Sequence, residues 1–212
     1  MPEWREGYGP LQIAAGVTMV GEEGAVLSGG HAGLAVEAEG VRFESLHLPR
    51  GVRVKCLGSL KMVKCTATGR QVAVEEKTSL VMEDTRVYGG GRDEDGGDVV
   101  CRGTMKLTRC TVEESYDIGV YVSGERAEAE LIDCVIRKHE RDGLVATGGA
   151  KVTLRGGTVS GNKRDGVVAS GEGVKITVSK EQPTICKDNE RHDWLSEDGG
   201  VLEGVAEENA RG

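Results

Sequence analysis

The sequence predicts an all-β chain wound as a parallel β-solenoid, and three observations carry that prediction. An eight-residue apolar pattern recurs along most of the chain. A short β-branched segment follows each copy. Aromatic residues are scarce while glycine is abundant: the 212 residues include 33 Gly, one Phe and only 3% aromatics. Globular cores lean on aromatic side chains for buried area, so a chain this poor in them must stack small branched residues in a regular way. With 38% hydrophobic and 29% charged residues, it is too apolar to read as disordered.

Taken in order, residues 1–15, with Trp4, Tyr8 and Leu11, read as an N-terminal cap over an end that would otherwise offer a free strand edge. The solenoid domain is expected over 16–205. Its repeat shows as VRFESLHL (41–48), LKMVKCTA (60–67), LVMEDTRV (80–87), MKLTRCTV (105–112), AELIDCVI (129–136) and VTLRGGTV (152–159). Each has apolar residues at its first, third and eighth positions and a small or apolar residue at its sixth. The third positions are Phe43, Met62, Met82, Leu107, Leu131 and Leu154, followed by Ile176; the intervals are 19, 20, 25, 24, 23 and 22 residues.

A second strand follows in each unit: GVRV (51–54), QVAV (71–74), DVVC (98–101), GVYV (119–122), GLVA (143–146) and GVVA (166–169). Alternation of apolar and other residues marks a strand with one face buried. Two inward rows are expected, one of Val52, Val72, Val99, Val120, Leu144 and Val167, the other of Val54, Val74, Cys101, Val122, Ala146 and Ala169.

A repeat of this length without helical periodicity points to a β-solenoid. Ankyrin and tetratricopeptide arrays need about 33–34 residues and amphipathic helices, and the leucine-rich pattern is missing. Variable intervals suit a coil whose strands stay in register while its corners bulge, as at GGGRDEDGGD (89–98). Eight or nine coils of roughly 19–26 residues are expected. Residues 184–205, with Trp194, break the pattern and read as a distorted last coil plus cap; 206–212 read as a frayed tail.

The unit Cys-x-Val…Asp-Gly-Val/Leu-Val, best seen in 110–122, 134–146 and 157–169, resembles the right-handed parallel β-helix of the pectate-lyase-like superfamily, and in style the parallel-β-helix repeats of carbohydrate-associated proteins and of certain F-box substrate adaptors. GVTMVGEEGAVLSGG (16–30) is similar to the entry coil of that family. The resemblance spans about 16–205 and speaks to fold more than to function.

Bulk charge narrows the function classes. A net charge of −8 with no Lys/Arg cluster argues against a nucleic-acid partner. No run of 18 apolar residues suggests a membrane span, and MPEWREGYGP lacks a signal-peptide core, so an intracellular location is expected. The six cysteines form no Cys-x-x-Cys pair. Cys65, Cys110 and Cys134 share the sixth position with Leu46, Thr85 and Gly157, which suits small core residues in a ladder; Cys56 and Cys186 fall outside the clear rows. His31, His47, His139 and His192 share no register, so no metal cluster is expected.

Two candidate sites remain. Ala73, Val100, Tyr121, Val145 and Val168 alternate with the inward residues and should form an outward apolar stripe, suited to a protein partner or a carbohydrate. Lateral packing of β-branched residues on any sheet face explains the same stripe without a ligand. Asp98, Asp117, Asp142 and Asp165 precede the second strand in successive coils and should stack along one edge. In enzymes of the resembled superfamily, acidic residues on adjacent coils supply acid, base or calcium ligands. An enzyme here would use Asp117, His139, Asp142, Arg164 and Asp165, with Ca2+ only if it were a lyase. Against that, none of the Asn-Thr-Asp, Asp-Asp, Gly-His-Gly, Trp-Ile-Asp-His or Asp-Pro-His-Asp clusters of such enzymes is present, and Asp and Gly are ordinary turn formers. The favoured reading is a non-catalytic recognition scaffold for a protein or glycan, without a cofactor; the alternative is a polysaccharide lyase or hydrolase.

Overall fold

The structure, a computed structural model, describes residues 11–22, 24–27, 33–49, 52–69, 71–91, 96–205 and 210–211. Three parallel sheets wind about one axis, with ten strands in sheet A, nine in sheet B and seven in sheet C among the described residues. The chain passes A, B, C and back to A in each full turn. Seven turns carry all three strands, from Leu34–Val36 to Ile185–Lys187, with partial turns at both ends. This is the expected solenoid, one or two coils shorter than expected. Among the described residues no helix is long and apolar enough to cross a membrane.

The eight-residue pattern is not one strand. It bends at its fifth position, which places the first half in sheet B and the second in sheet C. Ser45, Lys64, Asp84, Arg109 and Asp133 all hold φ between 49° and 54°, and Gly156 holds 64°. One left-handed residue turns the chain and leaves the flanking apolar residues pointing inward. Beyond six of the seven sheet C strands another left-handed residue follows: Gly69, Gly89, Glu114, Lys138, Gly161 and Asp188.

The inward rows run as expected through Phe43, Met62, Met82, Leu107, Leu131 and Leu154 in sheet B. Three members, Ile176, Val52 and Val54, lie two residues from their expected places. Ile176 pairs with Val152, and Val178 follows Leu154. In sheet A, Val54 pairs with Val72 and Cys56 with Val74, so Val52 lies outside that row. A two-residue slip keeps every side chain on its face, and alternation alone does not detect it.

Cys56 is thereby a core residue with no exposed surface, stacked with Val74 and Cys101. Cys65, Cys110 and Cys134 are buried as expected, and all six cysteines are free thiols. Cys186 is half-buried against the core and pairs with Val159.

At the N-terminal end, Leu11–Ile13 is already a strand of sheet A, paired with Leu34–Val36, so the cap expected over 1–15 gives way there to solenoid. Trp4, Tyr8 and His31, and residues 92–95 of the corner loop, lie outside the described residues. At the C-terminal end Trp194 points into the core, 5% exposed. Ala210–Arg211, expected as frayed tail, pairs with Trp194 and Leu195; residues 206–209 and 212 lie outside the described residues.

Candidate functional site

The corner leading from sheet C into sheet A builds the site. Counting back five residues from Val120, Leu144, Val167 and Trp194, which pair in sequence across sheet A, gives Ser115, His139, Asn162 and Asn189. Ser115, His139 and Asn162 are buried, and the row is bonded from one turn to the next. The His139 ring takes a hydrogen bond at Nδ1 from the Ser115 amide (3.2 Å) and lies 3.1 Å from the Val112 carbonyl at Nε2, which fixes the Nε2–H tautomer. Asn162 Oδ1 accepts from the His139 amide (3.1 Å). Asn189 Oδ1 accepts from both the Asn162 amide and its side chain (3.1 and 2.8 Å). Backbone amides that leave the sheets at this corner are thus satisfied by side chains of the following turn, as buried donors require.

This row explains the corner glycines. Gly119, Gly143 and Gly166 are not in the left-handed region; they are needed for space. A Cβ at Gly119 would lie 2.4 Å from His139 Nε2, one at Gly143 would lie 2.7 Å from Asn162 Nδ2, and one at Gly166 would lie 2.6 Å from Asn189 Nδ2. Expected simply as turn formers, these glycines serve by lacking a side chain rather than by supplying a left-handed backbone angle.

The aspartates do not form one row. Register puts Asp142 and Asp165 two residues before the inward strand residue, Asp117 three before and Asp98 one before. Ile118 occupies the turn where Asp142 has its counterpart, and Asp117 falls in line with Arg141, Arg164 and Arg191. Asp-Ile-Gly replaces Asp-Gly at that corner, and reading it as the same motif hid the shift.

Each aspartate is buried and each is bonded. Asp142 Oδ1 accepts from the Asp165 amide (3.0 Å). Asp165 Oδ1 accepts from the His192 amide (3.1 Å) and lies 2.6 Å from His192 Nδ1. Asp117 Oδ1 accepts from the Ile118 amide and from Arg141 Nη1 (3.0 and 2.8 Å), and Asp98 Oδ1 from Ser115 Oγ (2.7 Å). Burial pushes the Asp142 carboxyl up from the ordinary carboxylate range, with the Asp165 amide and Arg164 opposing. His139, fully buried, is pushed down to about 4, so it is a neutral structural imidazole at pH 7.

On the outer face of sheet A these corners border a groove of about 780 Å3. Its floor is the outward row Tyr121, Val145, Val168 and Leu195, paired in that order. Ile118 joins Val145 and Val168 in a small apolar cluster separate from the core. One wall carries Arg141, Arg164 and Arg191 above Asp142 and Asp165; the other carries Ser123, Thr147, Ser170 and Glu197. The Tyr121 hydroxyl lies 3.0 Å from Thr147 Oγ1, which donates to Ser123 Oγ (3.1 Å). Of the arginines, Arg141 is hydrogen-bonded to Asp117. Arg164 and Arg191 stand 3.9 and 3.6 Å from Asp142 and Asp165, and both side chains are about half exposed, at 41% and 51%.

The structure divides the sequence-based candidates. Tyr121, Val145 and Val168 border the groove, although Val145 and Val168 are themselves buried at 9% and 4% exposed, while Ala73 and Val100, in the same outward row, are 1% and 0% exposed and do not border it. Asp142, Arg164 and Asp165 come together in the groove, whereas His139 turns into the corner and Asp117 is not part of the lining. Sequence reasoning missed Leu195, Ile118 and the hydroxyl wall. Extending each second strand three residues past its inward Val or Leu would have found Ser123, Thr147 and Ser170. Among the described residues no group of three or more His, Cys, Asp or Glu is placed to hold a metal ion.

A family model described as a right handed beta helix region matches residues 23–182. No curated protein and no solved structure matches the chain.

Proposed function

The chain belongs to the right-handed β-helix family, and on that footing we propose that it is a non-catalytic scaffold that recognises an elongated ligand, protein or glycan, in the groove on sheet A. One observation carries the reading: Asp142 and Asp165, the two aspartates of the groove, each accept a main-chain hydrogen bond from the next turn and are committed to the fold, while the other groups facing the groove are aliphatic, hydroxyl and guanidinium, with Glu197 the remaining carboxylate. Such a set binds more readily than it transfers protons, because a general acid or base must present a free oxygen or nitrogen to the reacting group. A linear run of four turns matches an elongated ligand better than a compact one.

A lyase or hydrolase is the second reading, favoured by Asp142 alone, whose buried carboxyl with its raised pKa lies beside Arg164 in the groove. A glycan array and a pull-down, run with the native chain and with Arg164→Ala/Arg191→Ala, test the scaffold; binding that the double variant loses while keeping its β-sheet circular dichroism supports it. Cleavage of any polysaccharide that Asp142→Asn abolishes without unfolding overturns it.

A further inference from the structure

We infer that Cys110 and Cys134 are an oxidation site, at which a peroxide converts two thiols into a disulfide linking neighbouring turns of the solenoid. The pair sits at the corner between sheets B and C, away from the groove on sheet A.

Backbone placement is the first support. Cys110 and Cys134 each follow the left-handed residue of that corner, Arg109 and Asp133, and each precedes a sheet C strand. Those strands pair with Thr111 beside Val135, and the Val135 amide donates to the Cys110 carbonyl (2.9 Å). The two cysteines therefore hold the same place in neighbouring turns, where backbones lie ~4.8 Å apart. A disulfide needs Cα atoms roughly 4.4–6.8 Å apart, so the spacing of the turns already suits the link.

The side chains agree. Cys110 Sγ lies 3.4 Å from the Thr108 carbonyl and Cys134 Sγ 3.4 Å from the Ile132 carbonyl. Each sulfur bonds the carbonyl two residues back, which gives both the same direction and stacks one above the other. The Cys134 thiol donates to the Cys110 sulfur. Among the described residues no other two cysteines hold equivalent places in neighbouring turns. Thr85 stands between Cys65 and Cys110, and Val74 between Cys56 and Cys101. Two turns separate the members of those pairs by about 9.6 Å, beyond the reach of a disulfide.

Packing alone does not require sulfur in this row, since Thr85 and Gly157 fill the same place in the turns on either side. Gly157 also leaves Cys134 with no side chain over it on that side. Cys134 is 5% exposed, more open than Cys65, Thr85 or Cys110. So narrow an entry suits a peroxide better than a bulky disulfide reagent.

The hydrogen bond from Cys134 draws the Cys110 thiol below its ordinary pKa against the effect of burial, and the same contact, with burial, pushes Cys134 up. Thiolate is the nucleophile, so Cys110 attacks the peroxide. An S–O bond forms as the O–O bond breaks, and the departing hydroxide takes up the proton that Cys110 gave, leaving a sulfenic acid and water. Cys134 sulfur then attacks Cys110 sulfur. The S–S bond forms, the S–O bond breaks, and hydroxide leaves with the Cys134 proton as a second water. The two sulfurs lose two electrons between them and the peroxide gains both. The link closes the chain between the two turns and so restrains the unfolded state.

The test treats the folded full chain with hydrogen peroxide, then unfolds, alkylates and weighs it. We expect a mass lower by about 2 Da, the two hydrogens lost, and two fewer alkylated thiols than the six of the reduced chain. Peptide mapping should show one link, joining Cys110 to Cys134, that dithiothreitol opens, and the linked chain should unfold at a higher urea midpoint. Six thiols that still alkylate, a link between any other two cysteines, or Cys110 carried on to sulfinic acid without a link overturns the inference. A link that forms only when peroxide is added in urea, or a midpoint no higher than that of the reduced chain, overturns it too. A folded Cys110→Ala chain should show no such mass loss, and a loss there sinks the assignment; if that variant does not fold, the peptide map of the native chain decides alone.

Discussion

The two kinds of corner in this solenoid solve the same problem in opposite ways. Between sheets B and C, the chain turns on one residue in the left-handed region, and Ser, Lys, Asp, Arg and Gly all serve. Those side chains lean outward, where the Arg109–Asp84 pair (2.7 Å) bridges successive turns. Between sheets C and A, the turn is held by buried polar side chains stacked over glycines. The first corner is a matter of backbone torsion and tolerates many residue types. The second is a matter of close packing and hydrogen-bond completeness and tolerates few. The groove is built on the second, so its arginines stand on an inflexible base.

Breaking the second corner should cost most. Gly143→Ala places a methyl 2.6–2.7 Å from Val159 Cγ1, Asn162 Nδ2 and the Gly166 carbonyl; overpacking against backbone should destabilise the chain by about 3 kcal/mol, read from the urea midpoint. A change under 1 kcal/mol would mean that the corner relaxes as freely as the other.

Acid should probe the same corner next. The folded pKa of His139 is about 4, against about 6.5 in an unfolded chain, so the unfolded state binds the proton more readily. The stability tied to the neutral ring is complete above pH 6.5 and is lost progressively as pH falls toward 4. Between pH 7.5 and 5 the loss should be about 2 kcal/mol. His139→Asn, the residue that the next two turns carry, should flatten that limb in denaturant titrations at the two pH values; an unchanged limb would assign the effect elsewhere.

Asn162→Ala removes the acceptor of the buried His139 amide and should cost about 1.5 kcal/mol in the same assay. The smallest effect belongs to the first corner. Lys64→Gly, at φ 51°, relieves left-handed strain against the added entropy of glycine and should raise stability by about 0.5 kcal/mol. A large loss there would show that the lysine side chain holds the bend.

The legibility of the site follows the same division. Tyr121, Val145 and Val168 could be read as outward residues because alternation assigns faces. Ala73 and Val100 alternate identically and are buried, as are Val145 and Val168; burial depends on what lies over the sheet, and no local pattern reports that. The Asn162–His139 stack was illegible for a related reason: the row changes residue type from Ser to His to Asn, and only the shared offset from the following strand unites it.

What the sequence by itself determined is the solenoid: a period of two within strands, a period of roughly one coil between them, and the side of each sheet that faces the core. What only the tertiary structure decided is register and depth. Shifting a strand by two residues leaves every side chain on its own face, so Val54 and Ile176 could be assigned to the right face and the wrong neighbour. Whether Asp117 joins an aspartate row or an arginine row, and whether Arg141, Arg164 and Arg191 border one groove, depends on that neighbour. Pairing between turns, through backbone hydrogen bonds that no side-chain pattern encodes, makes the choice.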